Sequence, residues 1–156
     1  MHIGSQYTVG IHTLMLVEFF KDERITSEIA AASIGCNPVI VRNVFSKLSK
    51  AGLLRPGRGK AKTALGRPAC EITMYDVFTA TERCETDEIF SMYPANQNCP
   101  IGSELHNILE SRFESAVEAM LNDMKRTTIA DLVSELPPDK RVFPDSLRNL
   151  YLNHRN

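Results

Sequence analysis

Arg42, Lys47, Lys50, Arg55, Arg58, Lys60, Lys62 and Arg67 all fall within residues 29–70, a stretch without a single Asp or Glu. That window carries +8, and the remainder carries −9, so a net charge of −1 conceals a strongly basic segment. Solvated helix faces usually mix signs, whereas a long run of one sign is suited to lying against a polyanion. An ammonium or guanidinium that neutralises a phosphate releases a counterion, and this gives affinity that does not depend on base sequence.

The cysteines form the second reactive set. Cys36, Cys70, Cys84 and Cys99 are scattered through 156 residues. A chain of that length buries a core without staples, so the spacing suggests reduced thiols in a cytoplasmic protein rather than a disulfide framework. Cys99 and His106 are the nearest thing to a nucleophile and base. No third orienting group or oxyanion donor accompanies them, so an enzyme is not expected. The longest apolar run is Leu14-Met15-Leu16-Val17, and the start MHIGSQYT lacks a basic, apolar and cleavable sequence. Neither membrane insertion nor export is expected.

These side chains must be positioned by helices. Ser5 is a candidate cap for a first helix reaching about Phe20, dense enough in apolar residues to be largely buried. Thr26 or Ser27 can cap a short alanine-rich helix, Glu28 to about Ser33. Gly35 can take positive φ, and Asn37 followed by Pro38 opens a third helix, Pro38 to Ala51. Its inward stripe would be Ile40 or Val41 with Val44, Phe45 and Leu48. Arg42, Asn43, Ser46, Lys47 and Lys50 fall largely opposite, and Gly52 ends the helix. Leu53-Leu54-Arg55 and Thr63-Ala64-Leu65 read as two short strands around a basic, glycine-containing tip. Thr73 can cap a small helix, Met74 to about Thr81. Residues 82–100 read as irregular. A long helix, about Ile101 to Arg126, then repeats apolar residues at three- and four-residue steps. It would be about 40 Å long, more than a small domain needs to cover itself, which favours a partner helix from a second copy. Thr128 caps a last short helix, and residues 137–156 read as a tail of uncertain order.

Three short helices, a sharp turn and a two-stranded basic wing describe a winged helix-turn-helix. The expected architecture is mainly α with a small β-wing: a head (residues 1–82), a sensor loop and dimerisation helices (83–136) and a tail (137–156). An α-helix fills the DNA major groove, and side chains near its N-terminus reach base edges. Arg42 suits guanine, Asn43 suits adenine and Val39 suits a thymine methyl. Asn37 has two readings, a base contact or simply a helix cap. Lys47, Lys50, Arg58, Lys60 and Lys62 suit phosphates, and Thr26 and Ser27 at a helix N-terminus suit another. Winged helices also serve as protein-binding adaptors; the acid-free window is what favours duplex DNA.

The text ITSEIAAASIGCNPVIVRNVFSKLSKAGLLRPGRGKAKTALGRPACEITMYDVFTA, then NQNCPIG and the long helix ending TTIADLV, resembles the Rrf2 family of bacterial transcriptional regulators. The resemblance spans about residues 5–135, and NPVIVRNVFSKLSKAGLL is its most specific part. It implies a homodimer held by the long helix, a palindromic operator, repression, and a signal sensed between wing and long helix. The wing GRGKAKTALG has lysines and alanines where the family usually has glycines. Several members hold an iron–sulfur cluster through three closely spaced cysteines before the long helix. Cys99 matches the last of these, but Cys84 lies 15 positions earlier with no cysteine between, and Gly102 stands where one member has a histidine ligand. Such sites mostly need four ligands, so no cluster is expected. Cys99 has two further readings: a reactive thiol sensor with Cys84 as resolving partner, or a small buried hydrophobe. An effector pocket, if one exists, would lie around Met74, Phe78, Met92 and Tyr93.

Overall fold

The computed structural model describes residues 4–58, 61–82 and 89–152. Helix α1 (Ser5–Phe19) supplies the centre of the core. Its buried Val9, Leu14, Leu16 and Val17 meet Ile25 and α2 (Ser27–Ile34), and the inward stripe of α3 (Pro38–Lys50) closes over them. Of the two alternatives for that stripe, Val41 is buried beside Val44, Phe45 and Leu48, while Ile40 is 39% exposed.

Local chemistry explains most boundaries. The Thr26 hydroxyl accepts from the Ile29 amide and starts α2, and Gly35 ends it at φ 77°. The Asn37 carbonyl oxygen accepts from the Val39 amide at 2.9 Å, with Pro38 in the first turn. Gly52, at φ 72°, lets the Leu53 amide fold back onto the Leu48 carbonyl and closes the end of α3. That fold-back takes Leu53 out of the strand, so β1 is Leu54–Arg55, paired antiparallel with β2 (Ala64–Leu65). One start differs from expectation. Gly4, not Ser5, is the N-cap of α1, and no side chain caps it; the Gly4 amide instead donates to the Glu82 carboxylate.

Helix α4 (Met74–Thr81) packs across α1 at Gly10. A β-carbon there would meet Val77 Cγ1 at 2.9 Å and Thr81 Cγ2 at 3.1 Å. Gly10→Ala is therefore expected to destabilise the fold by about 1–3 kcal/mol, read as a lowered denaturant midpoint with unchanged slope. An unchanged midpoint would show that the contact has room to spare.

The 27-residue α5 (Pro100–Arg126) leads into α6 (Ile129–Ser134). Thr73 with Asp76 and Thr128 with Asp131 each form a capping box. The two boxes lie side by side: the Met74 amide donates to the Thr127 carbonyl and the Ile129 amide to the Ile72 carbonyl. This pins the far end of α5 to the head. Residues 138–152 of the expected tail pack back on the head. Phe143 is buried edge-on against Phe20, α7 (Asp145–Leu152) packs on α2, and Arg148 pairs with Glu23 at 2.7 Å. No single helix among the described residues is long and apolar enough to cross a membrane.

Candidate nucleic-acid interface

The outer face of α3 is a ridge of small and polar side chains. Val39 is 63% exposed, and Arg42, Asn43, Ser46 and Lys50 are exposed beside it. At 3.6 residues per turn, Val39, Asn43, Ser46 and Lys50 form one continuous row. Behind it, β1 packs against α3 and carries the wing. Arg58 and Lys50 are exposed and have no partner among the described residues, whereas Lys60 lies outside those residues.

Other cations of the acid-free window are engaged, in ways their sequence neighbours do not reveal. Lys47 does not belong to the outer ridge. Its half-buried ammonium donates to Gln6 Oε1 at 2.6 Å and to the Thr81 carbonyl at 2.7 Å, which satisfies the C-terminus of α4. A phosphate role for Lys47 would break both bonds, so we assign it to tying α3 to α1 and α4. Arg67 pairs with Asp76 at 2.9 Å, Arg55 donates to the Leu65 carbonyl, and the Lys62 ammonium donates to the Asp22 carbonyl. Arg42 Nη2 meets Glu28 Oε1 at 2.9 Å.

Glu28 also alters the reading of Thr26 and Ser27. Arg42 chiefly, then the Glu28 amide and the hydroxyls of Thr26 and Ser27, hold its carboxyl at a pKa of about 2, against a smaller opposing effect of burial. The donors at the start of α2 are thus already directed at an anion of the chain itself, and an incoming phosphate would have to displace it. Asn37 commits its side-chain Oδ1 to the cap, while its NH2 stays free of that bond and can donate to a base.

Cys99 stands at the N-cap of α5 with its thiol exposed. The amides of Gly102 and Ile101 hold its pKa below the usual thiol value. Cys84 lies outside the described residues. His106 Nε2 is 2.9 Å from the Tyr93 carbonyl. Among the described residues, no three metal-ligating side chains converge. The residues expected around an effector do not gather either. Phe78 is in the core edge-on to Tyr7, and Tyr93 is exposed. Only Met92 lines a groove of about 490 Å3, together with Phe113, Val117 and Leu121 of α5 and with Phe90, which stacks on Phe113. Sequence reasoning missed Phe90 because it lies in residues 82–100, whose sequence has no periodicity.

A helix-turn-helix with an exposed outer ridge, backed by a two-stranded wing, defines a winged-helix transcriptional regulator. Residues 3–135 match the Rrf2 family, described as an iron-dependent transcriptional regulator. The chain belongs to that family. It is 34% identical over 135 residues to YwnA of Bacillus subtilis (strain 168), named as an HTH-type transcriptional regulator, covering 86% of this chain and 98% of YwnA. A solved structure described as a DNA-binding protein is 31% identical, with a TM-score of 0.63 over 81% of this chain and 97% of the other. IscR of T. potens shares the fold at 16% identity, with a TM-score of 0.67 over 94% and 96%. Members of the family regulate transcription and are not enzymes.

Proposed function

We propose that the chain is a sequence-specific repressor that binds a palindromic duplex as a homodimer, in the cytoplasm and without a resident cluster. The observation that carries this reading is the outer row of α3, exposed and free of carboxylates, in which Lys50, like Arg58 of the wing, has no partner among the described residues. Val39, Arg42 and Asn43 read bases, while Lys50, Arg58 and Lys60 meet phosphates; Lys62, expected to join them, is held by the Asp22 carbonyl. Pairing of two copies is supported by α5. Met124 joins the head's core and Val117 is buried beside the groove, but Ile101 and Ile108, turned roughly 160° away on the same helix, are 73% and 60% exposed. Selection of bound duplexes from a random pool tests this reading. A two-fold symmetric consensus is expected, and enrichment of no sequence at low salt contradicts it.

A second reading, in which DNA binding is the output of a thiol switch, is favoured by the exposed, activated Cys99. Cys99 is expected to react with iodoacetamide at pH 7 faster than Cys70, which is also exposed but sits inside a three-residue 3-10 turn rather than at the N-cap of a long helix. Peptide mass spectrometry reads the order. Equal rates, or DNA binding unchanged by Cys99→Ser under oxidant, would remove the switch and leave the regulator.

A further inference from the structure

The geometry points to Glu28 as a positioning residue for base readout: its carboxylate buttresses the Arg42 guanidinium and presents the remaining donors of that group to guanine. This deepens the DNA-binding reading and rests on it. Glu28 is the last carboxylate before the acid-free window, and it contacts the α3 ridge, which has no carboxylate of its own. Its placement is over-determined. Glu28 lies in the first turn of α2, whose start is fixed by the Thr26 cap, and α2 is locked to α3 through buried Ile29, Ala30 and Ala31. The Glu28 contact is through Arg42 Nη2, one edge of a planar fork with five N–H donors. The rest of the fork keeps the paired geometry that guanine O6 and N7 require.

An exposed ion pair adds little to folding stability. Its consequence lies in preorganisation. Arginine on a bare helix must surrender its rotamer freedom when it meets a base, and fixing it beforehand saves a factor of about three to ten in affinity. The same carboxylate repels phosphates, so it opposes binding to DNA in general. Glu28 therefore raises discrimination while lowering non-specific affinity, a combination that neither a purely structural residue nor a phosphate ligand produces.

The test uses the full-length protein and the duplex selected from the random pool. The probe is a second duplex in which the guanine facing Arg42 is replaced by 7-deazaguanine, which lacks the N7 acceptor. The parent is expected to prefer guanine. Glu28→Gln should reduce that preference about three- to tenfold while binding random DNA at least as tightly as the parent. Arg42→Lys should abolish the preference, and Glu28→Gln added to Arg42→Lys should then change it no further. Thermal melts of all variants establish that each is folded. A selected half-site without a deaza-sensitive guanine overturns the proposal. So does an undiminished preference in Glu28→Gln, or a parallel loss of specific and random binding. A parent that binds no duplex overturns the functional reading itself, which is a different failure from an unmoved ratio.

Discussion

Replacing Ile101 and Ile108 together by glutamate is expected to leave a folded monomer and to weaken binding to the palindromic duplex by about 10²–10⁴-fold. Both side chains are exposed on the α5 flank that faces away from Val117 and Met124, so the substitution removes nothing from the head's own core. In the proposed pairing, two copies place eight carboxyl oxygens on one apolar seam, and desolvating them opposes association. The loss of affinity follows because each winged head then binds its half-site alone. Sedimentation shows the oligomeric state and a gel-shift titration shows the affinity. A dimer that survives with full affinity would move the interface elsewhere on the molecule.

Leu48→Ala carries the second large effect. Leu48 is fully buried beneath α3 and lies near Gly10, whose β-carbon position is 3.8 Å from Leu48 Cδ2. Truncating it removes transfer energy and leaves a cavity at the junction of α1, α3 and α4, at a cost of about 2–5 kcal/mol. For a chain of this size that lowers the melting temperature by about 2–4 °C per kcal/mol. Ser49, its neighbour, is exposed, and Ser49→Ala should change stability by no more than about 0.5 kcal/mol. Equal effects at the two positions would mean that the α3 stripe is not the core seam.

The features legible in the sequence are those encoded within a few residues. Gly35, Asn37-Pro38 and Gly52 bracket α3 because left-handed φ, side-chain capping and a fixed proline φ are local properties. Thr73 and Thr128 announce their helices for the same reason. The fates of the cations were not legible. Lys47 finds Gln6 across 41 positions, and Arg42 finds Glu28 across 14, so counting charges in a window could not tell an outward lysine from one that closes a helix end. The segment after Pro137 was obscured for a related reason. The packing of residues 138–152 rests on Phe143 reaching Phe20 and on Arg148 reaching Glu23, tertiary contacts that leave no periodic trace in so short a stretch. The carboxylate at the start of α2 was passed over for the opposite reason. A helix N-terminus attracts whichever anion is nearest, and Glu28 is within its own first turn.

The central claim is electrostatic, and its most direct test is the affinity for duplex DNA measured against salt concentration. With Lys50, Arg58 and Lys60 of each of two copies on phosphates, the logarithm of the binding constant should fall linearly with the logarithm of salt, at a slope of about −5. A slope near zero, or no binding at low salt, would contradict the account.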